Sequence, residues 1–439
     1  METTFAVAEA REMKAHLVKD LAAALQDLPE DAPPGRLADA VLADAVRERA
    51  TDIHFEPNRQ GVLVRLRIDG GLYDAMLLNT AEGLRAIRHF KAIAGIDSSQ
   101  HFVPANARIS TQVDDREIDL RIASVPCLGG EALTIRLLDS ESARQRLHDL
   151  GLTESQLSQL ESWLAGSYGL FIVSGPTGNG KTTTLYALLH ELRSHDRAVF
   201  TIEDPVEYRI DGVTQMQVDH HHGLTFAAGL HAMLRLDPDH LLLGEIRDEQ
   251  AAKAAFEAAG GGRVLMSTMS SVDAVGTVSG LRALGISDRE LVSGLRCVVA
   301  QRLVRRLCPK CSHPADSPVV MESLHLATGW DAVGCDACKG LGYVGRVGVF
   351  EIWQPDDVER DLIQAHADEQ TIRARLLSRG FSTLLDDAVQ KAEQGVTSVA
   401  EVRRVVVNYP SVERLSRSCE PAPPRPRVSS GVESICSAF

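Results

Sequence analysis

One stretch, VSGPTGNGKTTTLYALLH at residues 173–190, constrains this chain more than any other. Within it GPTGNGKT satisfies the pattern G-x-x-x-x-G-K-[ST], with Gly175, Gly180, Lys181 and Thr182 at the fixed places. The apolar run GLFIVSG leads in, and KTTTLYALLHELRS leads out with helical periodicity. Strand, glycine-rich turn and helix in that order make a cradle for phosphate. The glycines let several backbone N–H groups turn inward, and the helix N-terminus adds partial positive charge. The cradle is expected over Gly175, Pro176, Thr177, Gly178, Asn179, Gly180, Lys181, Thr182 and Thr183. Lys181 is expected to reach the β and γ phosphates of a nucleotide, and the Thr182 hydroxyl to ligate Mg²⁺.

A cradle binds but does not hydrolyse, so acids are needed nearby. The short apolar runs AVFTIEDP, HLLLGEIRD and VLMSTMS read as buried strands separated by helical segments. That alternation predicts a parallel sheet covered on both faces. In such a sheet ligands sit at the carboxyl ends of the strands. Glu203, Asp204 and Glu207 follow one strand, and Glu245, Arg247 and Asp248 follow another. Acids at that edge suit Mg²⁺ binding and water positioning.

The flanks divide the rest. With 439 residues, about two to four domains are expected. Residues 1–34 read as a helical lead ending in LPEDAPPG. Residues 35–140 alternate strand and helix patterns; in GVLVRLRIDGG, Val62, Val64, Leu66 and Ile68 fall on one face and Arg65 and Arg67 on the other. Residues 141–168 look helical and polar, a linker. The P-loop core is expected over 169–300, a cysteine-bearing lobe over 301–350, and helices over 351–415. The Pro/Ser-rich residues 416–439 read as a disordered tail. QRLVRRL, at 301–307, reads as a basic helix face. HHH at 220–222 reads as a surface loop, because consecutive imidazoles do not easily converge on one ion.

Charge and apolar content narrow the class. Lys plus Arg is 46 against 60 for Asp plus Glu, a net −14, which opposes a nucleic-acid partner. No apolar run is long enough to span a bilayer. The opening METTFAVAEAREMKAHLVKD carries charges throughout and is not expected to be a signal peptide. Of eight cysteines, four form two C-x-x-C pairs, Cys308 with Cys311 and Cys335 with Cys338. Two such knuckles complete a tetrahedron around Zn²⁺, expected here to be structural.

These motifs, in this order, resemble the ATPases of type II secretion and type IV pilus assembly. The resemblance runs from about residue 36 to about 405. It is carried by TDIHFEP, VRLRIDGGL, IDLRIASVPCLGGEALTIRLLD, GPTGNGKTTTLY, TIEDPVEY, GLTFAAGLHAMLRLDPDHLLLGEIRD, AQRLVRRLCPKC and CDACKGLGYVGRVGVFEI. It implies an α/β chain: a small PAS-like mixed α/β domain, then a RecA-like P-loop domain with a Cys₄ zinc lobe and C-terminal helices. Family members are cytoplasmic homohexamers that meet the inner membrane through a platform protein and an adaptor, and power filament assembly or export. By resemblance, Glu245 is the catalytic carboxylate and Glu203 a water- or Mg²⁺-positioning acid. Arg65, Arg67, Arg108 and Arg121 are candidates to reach nucleotide across the ring, where arginine would offset transition-state charge.

The sequence also departs from the family. Arg263 and Ser270 stand at the two positions of a histidine pair assigned to sensing the terminal phosphate, with Thr268 kept. An arginine at 263 is expected to be able to contact phosphate, whereas a serine at 270 is too short to replace imidazole. His231 stands where arginine is frequent, with Arg235 kept, and in PANAR only Arg108 survives of the usual Gln-Asp-Gly-Arg. The long N-terminal domain of many members is expected to be missing. The leading expectation is an active Mg²⁺-dependent ATPase motor. The alternatives are a ring subunit that binds ATP without turning it over and, less favoured, a nucleic-acid motor.

Overall fold

The computed structural model describes residues 34–99, 101–139, 145–166, 168–193, 196–315 and 328–407. The helical lead, apart from Pro34, and the whole of the Pro/Ser-rich tail lie outside these residues. The first unit is a six-stranded antiparallel sheet in the order β3-β2-β1-β6-β5-β4. Its strands are β1 (Ala50–Asn58), β2 (Gly61–Ile68), β3 (Gly71–Leu78), β4 (Ala105–Val113), β5 (Arg116–Cys127) and β6 (Gly130–Asp139). Two helices, α1 (Pro34–Arg47) and α2 (Thr80–Ile93), cover one face. The alternation along β2 is as its sequence predicts: Val62, Val64, Leu66 and Ile68 are buried, and Arg65 and Arg67 lie on the opposite face. Helix α2 starts where Asn79 and Glu82 cap each other's backbone N–H groups.

The second unit is a seven-stranded sheet in the order β15-β12-β7-β11-β10-β8-β9. Its strands are β7 (Gly169–Ser174), β8 (Val199–Glu203), β9 (Thr214–Gln217), β10 (His240–Leu243), β11 (Val264–Met269), β12 (Leu295–Leu307) and β15 (Tyr343–Trp353). All neighbours are parallel except the edge pair β12 and β15. β7, β10 and β11 are buried along their whole length, which is why their sequences read as unbroken apolar runs. Helices α3 (Glu154–Gly166), α4 (Lys181–Leu192), α5 (Phe226–Met233), α6 (Glu249–Gly260), α7 (Ala274–Ala283) and α8 (Asp288–Gly294) accompany this sheet. Then come α9 (Asp357–Gln364), α10 (Glu369–Ser378), α11 (Leu384–Glu393) and α12 (Val399–Val402). A two-stranded pair, β13 (His313–Pro314) with β14 (Trp330–Asp331), belongs to the cysteine lobe.

Two sequence expectations need correcting. The segment read as a polar linker carries α3, whose Leu160 and Trp163 are buried, with Trp163 stacked 4.7 Å from Phe171 of β7. It is part of the seven-stranded unit, because Leu157, Leu160 and Leu164 recur at helical spacing on one face. QRLVRRL is not a helix face but the end of β12, which crosses the boundary expected at residue 300. Its apolar positions suit either a helix or a strand, and pairing with β15 decides for the strand.

The C-terminal helices are bolted to β12 by Glu401. Its fully buried carboxylate accepts bonds from Arg305 at 2.8 Å and Arg404 at 2.6 Å. Burial alone would raise this carboxyl, but the bonds from Arg404 and Arg305 outweigh it and hold it at about 2. A carboxyl depressed in the folded state contributes stability above its ordinary value of 4.5, lost as pH falls towards 2. Glu401→Gln is expected to weaken this contact by about 3 kcal/mol at neutral pH and to flatten the acid limb. Hydrogen exchange across 299–307 and 396–406 reads it as faster opening.

Candidate functional site

The site forms at the carboxyl ends of β7, β10 and β11. β7 ends at Ser174, and the chain turns through Gly175–Gly180 into α4. Two glycines here are indispensable. Gly180 has φ 77°, and a Cβ there would lie 2.9 Å from Gln301 Nε2. At Gly175 a Cβ would lie 2.5 Å from the Gln301 carbonyl. The loop is therefore pressed against β12, and β12 clamps it. Gln301 Nε2 donates to the Asn179 carbonyl at 2.8 Å, Leu303 N donates to Asn179 Oδ1 at 2.9 Å, and Thr184 Oγ1 donates to Gln301 Oε1 at 2.7 Å. Gln301 and its neighbour Arg302 were missed as site residues in the sequence, where they read only as part of a basic run.

Lys181 folds over the loop, its Nζ donating to the carbonyls of Gly175 at 2.7 Å and Pro176 at 3.2 Å. Burial pulls its ammonium below the ordinary lysine range; the Glu245 carboxylate opposes this and the Arg302 guanidinium adds to it. Lys181 and Glu245 thus feel each other across the cleft. Thr182 lies exposed in the first turn of α4. Glu245 sits in the turn after β10, stapled to β11 from both sides. Ile246 N donates to the Thr268 carbonyl at 2.9 Å, and Thr268 Oγ1 donates to the Gly244 carbonyl at 2.8 Å.

Glu203 ends β8 with its carboxylate buried inside the protein. Tyr186 Oη and Thr201 Oγ1, the latter at 2.6 Å, donate to it, and Gln215 Nε2 lies at 3.4 Å. Burial raises this carboxyl, against the pull of those donors. Tyr186 Oη also accepts from Glu207 N at 3.2 Å, so helix α4 holds the turn that follows Glu203. From the other side the small domain grips the same turn. Arg108 donates to the carbonyls of Val206 at 2.8 Å and Glu207 at 3.2 Å, and Arg121 Nη2 donates to Glu207 Oε2 at 2.8 Å. Of the four candidate arginines, these two reach the P-loop unit of their own chain. Arg65 pairs with Glu56 at 2.5 Å, and Arg67 pairs with Asp52 at 3.7 Å and bonds the Gly70 carbonyl at 3.3 Å, all within the small domain.

The histidine-pair positions separate. Ser270 follows β11 at the phosphate edge. Arg263 precedes β11, at the opposite edge, with Nε donating to the Pro238 carbonyl at 3.2 Å. Six strand residues at about 3.3 Å each put some 20 Å between the two ends. The expectation that Arg263 can contact phosphate is therefore corrected: within this chain it is far from the cradle. His220–His222 form an exposed turn capped by Asp219, in keeping with a surface loop.

The cysteine lobe runs from β12 to β15. The Sγ atoms of Cys308, Cys311, Cys335 and Cys338 all lie within 4.8 Å of one another. Cys308 to Cys335 is 3.9 Å and Cys311 to Cys338 is 3.7 Å. Four thiolates 2.3 Å from one Zn²⁺ stand about 3.8 Å apart, so the donors fit that ion. Among the described residues this is the one grouping of metal-binding side chains. The lobe touches both units: Lys339 pairs with Glu48, Gly345 N donates to Asp69 Oδ2 at 2.8 Å, and Tyr343 Oη meets Ser398 Oγ at 2.6 Å. No helix among the described residues is long and apolar enough to cross a membrane.

Comparison with known proteins places this arrangement. The family model for the Type II/IV secretion system protein matches residues 27–404. The chain belongs to that family. It is 38% identical over 387 residues to the type II secretion system ATPase E of Vibrio cholerae, covering 87% of this chain and 77% of that protein. It is also 38% identical over 406 residues to the type II secretion system protein E of Pseudomonas aeruginosa, covering 88% of this chain and 80% of the relative. Among solved structures, the Legionella pneumophila ATPase DotB superposes with a TM-score of 0.66 at 21% identity, covering 86% of this chain and 97% of DotB. The pilus retraction motor PilT with bound ADP gives 0.59 at 21%, covering 86% of this chain and 98% of PilT. These two show that the chain shares their fold.

Proposed function

We propose that this family member hydrolyses ATP and uses the cycle to drive type II secretion or pilus-type filament assembly through an inner-membrane platform protein. The observation that carries the reading is the convergence, at one sheet edge, of a clamped P-loop, Lys181 and a stapled Glu245. Gly175–Thr183 hold the phosphates, and Lys181 exchanges its loop carbonyls for phosphate oxygens. Glu245 orients the attacking water. Glu203 contributes by fixing the turn that follows it rather than by meeting water itself, since its oxygens are engaged by Tyr186 and Thr201. Mg²⁺ held by Thr182 would offset charge on the β and γ phosphates. Arg108 and Arg121 make the small domain a sensor of the Asp204–Glu207 turn, and Arg65 and Arg67 remain candidates for a neighbouring subunit's nucleotide in a homohexamer. Phosphate release measured with and without the platform protein, and with DNA, tests this reading. Stimulation by the platform protein supports it, and stimulation by DNA alone opposes it.

Zn²⁺ bound by the four cysteines would hold the lobe as a brace between the small domain and the C-terminal helices. One zinc per chain is expected by metal analysis. Chelation or Cys308→Ser is expected to lower the unfolding temperature by several degrees, because a structural zinc contributes on the order of 10 kcal/mol to folding its lobe. Nucleotide affinity should stay close to its starting value.

A further inference from the structure

The segment that follows β11 is anchored from three directions, and the histidine-pair substitutions do not account for any of them. Met269 O accepts the N–H of Gly175 at 3.2 Å, so the segment touches the start of the phosphate loop. Thr268, one residue earlier, holds the Glu245 turn through both its carbonyl and its hydroxyl. The first anchor is Arg302 of β12, which donates to the Val272 carbonyl and, at 2.9 Å, to the Gln301 carbonyl. The second is Glu351 of β15. Its two carboxylate oxygens accept Ala274 N at 3.0 Å and Leu384 N at 3.1 Å, tying the starts of α7 and α11 together. The third is Arg373 of α10. Its Nε and Nη2 bind Asp273 with three contacts of 2.9–3.0 Å, and Nη2 also pairs with Glu369 at 2.6 Å.

Asp273 is the hinge of this arrangement. One of its oxygens caps α7 by accepting Gly276 N at 2.7 Å, and the residue is 7% exposed. A guanidinium fork on a carboxylate fixes both direction and distance, which a single bond does not. The fork comes from a helix outside the P-loop core, 100 residues further along the chain. Through this side chain the C-terminal helices grip the segment that follows β11.

We propose that Arg373 is a positioning residue for the nucleotide site: by gripping Asp273 it holds residues 268–273, and with them the Glu245 turn and Gly175, in their working geometry. The inference rests on the ATPase reading given above. Arg373 itself touches no reacting group. Its loss acts by loosening the frame around Glu245, and a misplacement of about 1 Å at a reacting centre can cost roughly 10²-fold in rate.

The full chain carrying Arg373→Gln tests this. kcat is expected to fall tenfold or more while KM and the Kd of a fluorescent ATP analogue stay within about twofold. Arg373→Lys, which keeps the charge but not the fork, is expected to fall in between. Hydrogen exchange over 244–248 and 268–273 is expected to quicken in Arg373→Gln. Wild-type kcat in Arg373→Gln overturns the proposal, and so does a loss confined to nucleotide affinity. If Arg373→Gln does not fold, Arg373→Lys decides: a threefold or larger fall in kcat at constant KM supports the proposal, and unchanged kcat overturns it. If the wild type releases no phosphate, the ATPase reading fails separately. Exchange at 244–248 then decides the positioning role, with unchanged protection in the variant overturning it.

Discussion

Lys181→Ala is expected to abolish productive nucleotide capture. The backbone N–H groups of the cradle would remain, since β12 holds the loop through Asn179 and Gln301 independently of the lysine. What disappears is the ammonium that bridges the Gly175 and Pro176 carbonyls and faces the field of Glu245. A charge-assisted contact to phosphate is worth about 3 kcal/mol, so affinity should weaken roughly 10²-fold or more. Titration with a fluorescent ATP analogue measures it. The unfolding temperature should barely move, because Lys181 is half-buried at the mouth of the cleft and not part of the apolar core.

Glu245→Gln is expected to separate binding from chemistry. The turn that carries it is fixed by backbone and hydroxyl bonds to Thr268, none of which involves the Glu245 carboxylate. The amide should therefore occupy the same place without the charge that orients and activates water. A positioned general base is worth about 10²- to 10⁴-fold, so turnover should fall by at least 10²-fold while ATP stays bound. Filter retention of radiolabelled nucleotide after mixing with Mg²⁺ and ATP would recover intact ATP. Wild-type turnover in this variant would remove Glu245 from the chemistry.

Much of this site is legible in the residues alone. The P-loop announces itself because only glycine serves at Gly175 and Gly180, and the strand ends are visible because β7, β10 and β11 are apolar throughout. What sequence pattern misses is partnership across distance. Gln301 lies 122 positions from Asn179, and Arg373 lies 100 from Asp273. Nothing local in QRLVRRL tells a helix face from a strand clamped on a phosphate loop. Leu303, Val304 and Leu307 suit helical spacing as well as they suit β12. Arg263 shows a related limit: a motif counts residues, but a strand between two motif positions carries them to opposite edges of a sheet. The linker reading failed at Trp163 for the same reason, since its partner Phe171 belongs to the next strand.

The resemblance of the motifs to secretion ATPases and the match to the family over residues 27–404 agree on the family. The position of Arg263 bears on whether this member is active. With Arg263 at the far edge, the substitution there leaves the cleft as it is, and only Ser270 changes the phosphate edge itself. Lys181, Glu245, Thr268 and the clamp from β12 are all in place. An electrostatic frame fixed before the nucleotide arrives supplies most of the rate in such sites. These features favour an active ATPase over a ring subunit that only binds.

The central claim is most directly tested by phosphate release from ATP by the purified, zinc-loaded chain in Mg²⁺. The account predicts steady Mg²⁺-dependent release that disappears in Lys181→Ala and in Glu245→Gln. Intact ATP after prolonged incubation with the assembled wild type and its membrane partner would contradict it, and would leave a nucleotide-gated clamp in place of a motor.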